Sequence, residues 1–331
     1  VTPESLLSVR DLNVSFRTPD GVVHAVIDAS FDIRPGEVLA VVGESGSGKS
    51  VTALALMQLH PKNTDIAGSV TFDGRDVLSM SDDEMRSIRG QDIAMIFQDP
   101  MTALNPVFSV GHQIVEVIRL HSSVTKEGAW DRAVDLLNLV GVPDPKARST
   151  QYPHEYSGGM RQRAMIAMAI ANDPKLLIAD EPTTALDVTV QAQVMEVLRD
   201  VQQETGSAMM LITHDLGVVA GSADRVQVMY GGRVMETGTV DEIFYETSNP
   251  YTTALLDSIP DLDGKKEALH PIPGNPPSLL NPPSGCPFRP RCAHAVDACA
   301  ESVPQLEELV GTHASRCHRV AELYPTREVM V

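Results

Sequence analysis

The stretch EVLAVVGESGSGKSVTALALMQL constrains this chain more than any other. Val38 to Val42 form an unbroken apolar run suited to a buried strand. Gly43 then opens G-E-S-G-S-G-K-S, and an apolar, helix-compatible segment follows. The motif fits G-x-x-x-x-G-K-[ST], and strand, loop, helix is the setting it requires. Gly43, Glu44, Ser45, Gly46, Ser47 and Gly48 fold the backbone around phosphate groups with N–H groups turned inward. The helix that follows adds partial positive charge at its N-terminus. Lys49 brings a point charge to the β/γ-phosphates, and the Ser50 hydroxyl is suited to ligate Mg²⁺. A glycine-rich turn that binds nothing would not need the complete motif in this context.

A nucleotide site is not yet a function, and the downstream residues narrow it. A second apolar run, KLLIADEP, ends on Asp180 and Glu181. In a P-loop protein a strand ending in Asp delivers a carboxylate to the Mg²⁺ shell. The adjacent Glu181 is placed to polarise an attacking water as general base. Alone, the pair would be a solvated strand end; after a P-loop it reads as hydrolytic chemistry. Composition excludes another class. With 44 acidic against 26 basic residues and a net charge of −18, the chain is a poor binder of nucleic acid or anionic lipid. No apolar run reaches the length of a membrane span. The opening VTPESLLSVRDLNVSF has no basic n-region or apolar h-region. A soluble, cytoplasmic chain is expected, with any membrane association made through a partner.

Tyr156 to Arg163 read YSGGMRQR, followed by AMIAMAIAN and then KLLIADEP. This resembles the signature of ATP-binding-cassette (ABC) ATPases. Physically it is a second anion site, in which the Ser157 hydroxyl and the Gly158 and Gly159 amides begin a helix. The resemblance implies that this helix faces the γ-phosphate of ATP on a partner subunit, in a head-to-tail dimer. It also implies that Gln98 in MIFQDP senses the Mg²⁺/γ-phosphate site. Asp187 in TTALD would lie at the dimer seam, and His214 in MLITHDL would be the switch histidine. Phe16 is the candidate for stacking on adenine. Met160, where many members have Gln, and FQDPMTALNP both resemble the D-type ATPases of oligopeptide/dipeptide importers.

The expected fold is therefore α/β: a P-loop NTPase ABC cassette over 1–245, with a RecA-like core, an antiparallel β-subdomain and a helical subdomain at about 100–165. Short alternating apolar segments in 1–35 suit the β-subdomain. Trp130, Ala133, Val134, Leu137 and Val140 recur at helical spacing. VQVMYGGRVMETG reads as a β-hairpin turning at Gly231–Gly232. Composition shifts after NPYTTALLDSIP, and residues 246–331 form a C-terminal extension. Within it, 271–290 hold eight prolines and read as an extended linker. No second P-loop or signature occurs, so a separate partner chain is expected.

All four cysteines follow residue 285, in the spacing C-x5-C-x6-C-x17-C. Disulfides do not suit a compartment holding ATP. Structural zinc favours closer pairs, and the spacing is not a ferredoxin pattern. Spacing alone leaves these open. The resemblance extends to PIPGNPPSLLNPPSGCPFRPRCAHAVDAC and implies a small iron–sulfur extension, in which Cys286, Cys292, Cys299 and Cys317 hold a [4Fe–4S] cluster. Arg289, Arg291, Arg316 and Arg319 would then offset its charge, and His294, His313 and His318 are spare ligand candidates.

The resemblance as a whole implies the ATP-hydrolysing subunit of a peptide importer at the cytoplasmic face of the membrane. Its cofactors would be ATP, Mg²⁺ and the cluster. Its partners would be an F-type ATPase, two transmembrane permeases and an extracytoplasmic binding protein, with no nucleic acid. A nickel or glutathione importer shares these motifs. A soluble ABC ATPase acting on nucleic acid or ribosomes is opposed by the charge, the single cassette and the tail.

Overall fold

The computed structural model describes residues 5–184, 186–258 and 271–325. It divides into two compact units. One is built mainly from Ser79–Ile212, joined by Ile33–Glu37; the other comprises Leu7–Asp32, Val38–Leu78 and the chain from Thr213 on.

In the first unit, strands Ile93–Ile96, Leu176–Asp180 and Ala208–Thr213 run parallel. Ile93 lies opposite Leu176, and Leu176 opposite Ala208. Their side chains are buried throughout, which is why these three runs are continuous rather than alternating. Helices begin where short polar side chains satisfy orphan N–H groups. Ser109 caps Val110–His121, Thr125 caps Lys126–Leu139, and Ser157 caps Gly158–Ala169. On Lys126–Leu139 the buried face is Ala129, Ala133, Leu136 and Leu137. Of the stripe read from sequence, Ala133, Leu137 and Val140 are fully buried, while Trp130 and Val134 are half-buried at its edge.

In the second unit, Val38–Val42 pairs in parallel with Arg225–Tyr230, with Val42 opposite Val228. Arg225–Tyr230 and Arg233–Thr239 form the expected antiparallel hairpin. Its turn residues, Gly231 and Gly232, both have positive φ. A separate four-stranded sheet is ordered Gly21–Ile33, Leu7–Thr18, Thr64–Phe72 and Arg75–Asp76. Residues 271–288 contain neither helix nor strand, as their prolines dictate.

The tail does not stand apart from this unit. Ala314–Ser315 adds an antiparallel strand against Arg233–Thr239. Phe288, 4% exposed, packs in the core against both Tyr230 and Tyr251, with ring centroids at 5.4 and 5.2 Å. Burial of one such ring contributes roughly 2–3 kcal/mol. The extension therefore shares the core of the P-loop unit.

Candidate functional site

The P-loop lies in the second unit. At Gly43 (φ 150°) a Cβ would stand 2.1 Å from the Met229 carbonyl oxygen, and at Gly48 (φ 103°) one would stand 2.5 Å from that of Ala25. The loop is thus threaded between two strands where only glycine fits. Lys49, 4% exposed, donates from Nζ to the carbonyl oxygens of Gly43 at 2.7 Å and Glu44 at 3.1 Å. Its charge is held within the loop that receives phosphate. Helix Lys49–Leu56 begins directly from Gly48. His214, in the same unit, is exposed just beyond the strand that ends at Thr213. Phe16 is half-buried on Leu7–Thr18, opposite Thr64.

The first unit holds the carboxylates. Asp180 ends its strand at 6% exposure. Glu181 follows with φ 45°, a left-handed conformation that a non-glycine residue adopts at a cost. Its N–H donates to Ile212 O at 2.9 Å. Its Oε2 accepts from Gln98 Nε2 at 3.0 Å and from Thr184 Oγ1 at 2.8 Å. Two residues matched separately in the sequence, Gln98 and Glu181, are therefore in direct contact. Thr184 was not picked out from sequence. The signal was local: the turn after Glu181, in which Thr184 N–H donates to the Glu181 carbonyl at 3.1 Å, returns the hydroxyl to the carboxylate.

The signature helix starts as its residues suggest, with Ser157 Oγ accepting from Met160 N–H at 3.3 Å. Asp187 caps Val188–Thr205 by accepting from Val190 N–H at 3.0 Å. Next to it, Val188 is 83% exposed.

All four cysteines line one cavity of the second unit, together with His294 and His318. Burial pushes the Cys317 thiol up to about 11 and raises Cys286 and Cys292 as well. Among the described residues, no group of three or more His, Cys, Asp or Glu is arranged to hold a metal ion. His313 is not a spare ligand: its Nε2 pairs with the buried Glu236 carboxylate at 2.7 Å. Arg291 is committed to Glu44. Arg316 donates to the carbonyls of Val234 and Pro304. Arg289, Arg316 and Arg319 border the cavity.

The ABC transporter family model matches residues 26–184, and that of the oligopeptide/dipeptide transporter C-terminal region matches 235–299. The oligopeptide transport ATP-binding protein OppD of Escherichia coli is 52% identical over 319 residues, covering 96% of this chain and 94% of that protein. The chain belongs to the ABC transporter ATP-binding proteins of the oligopeptide/dipeptide type. OppD of Bacillus subtilis is 53% identical, over 93% of this chain and 87% of the relative. DppD of the same organism, a dipeptide transport ATP-binding protein, is 51% identical over 95% and 94%. Among solved structures, a dimeric post-hydrolysis state of the cassette MJ0796 bound to ADP and Pi matches with TM-score 0.64 and 25% identity. It covers 71% of this chain and 98% of that one. The cassette cbiO1 of Clostridium perfringens matches with TM-score 0.62 and 29% identity, over 73% and 92%. The fold is thus a P-loop ABC cassette, and the family's activity is ATP hydrolysis. Among the described residues no helix is long and apolar enough to cross a membrane.

Proposed function

We propose that this chain hydrolyses ATP to drive uptake of oligopeptides or dipeptides through two membrane permeases, held peripherally at their cytoplasmic face. Glu181 carries the reading: a carboxylate in a strained backbone position, held by Gln98 and Thr184, is what a water-activating base requires. Lys49 and the loop amides bind the phosphates. Ser50, Asp180 and Gln98 serve Mg²⁺, and His214 contacts the γ-phosphate. Phe16 stacks on adenine. Ser157, Gly158, Gly159 and Asp187 act across a head-to-tail dimer with a second, F-type ATPase subunit. An extracytoplasmic binding protein supplies the peptide. Glu181→Gln should bind ATP normally while turnover in the assembled transporter falls by at least about 10². Wild-type turnover in that variant would remove Glu181 from the base role.

The four-cysteine cavity is proposed to hold a [4Fe–4S] cluster through Cys286, Cys292, Cys299 and Cys317. Convergence of all four on one cavity supports this. When bound, such a cluster supplies a four-thiolate crosslink, and at greater reach a redox centre. Anaerobically purified chain is expected to carry about four iron and four sulfide. Stoichiometric zinc without iron would replace the cluster with a structural zinc site.

A further inference from the structure

The C-terminal extension reaches the Glu44 side chain in the phosphate loop through Arg291. Arg291 precedes Cys292, and its side chain is only 4% exposed. Nε donates to the Pro273 carbonyl at 2.9 Å. Nη1 donates to Glu44 Oε2 at 2.5 Å and to Tyr230 Oη at 3.1 Å; Nη2 donates to Glu44 Oε1 at 3.0 Å and to the Ile272 carbonyl at 3.1 Å. A guanidinium has five N–H donors in a rigid fork, and each of them is used here. The pair with Glu44 is bidentate, the strongest geometry available to these groups.

Glu44 is an unusual residue to find so held. It is an acid inside a loop whose task is to receive a polyphosphate, where its charge would oppose the ligand. Its backbone is fixed as well. The N–H donates to Tyr251 Oη at 3.0 Å, and the carbonyl accepts from Lys49 Nζ at 3.1 Å and from Ser47 N–H at 3.2 Å. One residue thus joins the extension, the buried tyrosines and the phosphate-binding lysine.

We propose that Arg291 is a positioning residue for nucleotide binding: by engaging the Glu44 carboxylate, it neutralises the one acid of the P-loop and fixes the loop around Lys49. This makes the extension part of the nucleotide site's support. The inference rests on the P-loop being the ATP site, and the test separates the two.

ATP affinity is measured on the full purified chain at low and high salt, with thermal melting as a control for folding. Arg291→Met leaves Glu44 unpaired, and its affinity should fall about tenfold at low salt, with the defect shrinking as salt screens the repulsion. Removing the charge should repair it: Arg291→Met/Glu44→Gln should return to within about threefold of wild type. A role limited to holding the tail would lower the melting temperature in both variants and give no such rescue. Unchanged affinity in Arg291→Met, or no recovery in the double variant, overturns the proposal. If Arg291→Met does not fold, Arg291→Lys and the double variant carry the test. Each is expected within about threefold of wild type, and a tenfold loss in either folded protein overturns it. Lys49→Ala is the reference. Wild-type ATP affinity there would overturn the P-loop reading itself, whereas loss there with none in Arg291→Met would overturn only the role of Arg291.

Discussion

At the scale of single residues, the chemistry depends on how one carboxylate is held. Glu181 accepts hydrogen bonds from Gln98 and Thr184 on the same oxygen, Oε2. Two donors on one oxygen restrict the rotation of the group. Thr184→Val removes one hydrogen bond to a charged acceptor while keeping the shape of the side chain. Turnover should fall about tenfold, the worth of one such bond, with ATP affinity unchanged. Equal loss in affinity and turnover, measured by binding and steady-state hydrolysis, would show that Thr184 acts on the fold rather than on the base. Contiguity decides what sequence could reveal at this scale. The P-loop and Asp180–Glu181 are runs whose meaning lies in neighbouring positions. Gln98 and Glu181 were legible only as separate resemblances, and their contact spans 83 positions. Arg291 and Glu44 are 247 positions apart, and no periodicity or spacing rule joins them.

At the scale of elements, local signals served well wherever burial is symmetrical or a turn is obligatory. The continuous apolar runs became fully buried parallel strands, and the paired glycines became the hairpin turn. The tail was harder to read. Its prolines leave 271–288 without helix or strand, a short 3-10 turn starting only at Arg289, but composition cannot show that Phe288 packs against Tyr230 and Tyr251. That contact makes the aromatic ring, not the thiols alone, an anchor of the extension. Phe288→Ala should cost about 3–5 kcal/mol by leaving a cavity in a shared core. Limited proteolysis should then cut within residues 271–325 faster than in wild type. Serine variants of the cysteines should leave the tail better protected than Phe288→Ala, because Phe288, Arg291 and the Ala314–Ser315 pairing remain. Equal protease sensitivity in both kinds of variant would show that the cysteines hold the tail as much as Phe288 does.

At the scale of the whole molecule, the single cassette is the decisive fact. One P-loop and one signature occur in the chain. A signature that acts on a partner's nucleotide should be dispensable for binding by the isolated chain and required for turnover in the assembly. The substitution that tests this must add charge without disturbing the helix. At Gly159 a Cβ would stand 2.8 Å from Val190 Cγ1, which must move to admit it, whereas at Gly158 the nearest atom is Leu186 Cδ2 at 3.9 Å, an ordinary contact. Gly158→Asp is therefore the cleaner probe. It sets a carboxylate where the resemblance places a γ-phosphate, and like charges oppose each other there. The isolated variant should bind ATP with wild-type affinity, while ATP-dependent association with the partner ATPase is lost and turnover of the assembled transporter falls by at least about 10². If the folded, isolated Gly158→Asp chain loses ATP binding instead, the signature serves its own nucleotide, and the head-to-tail arrangement is wrong for this protein.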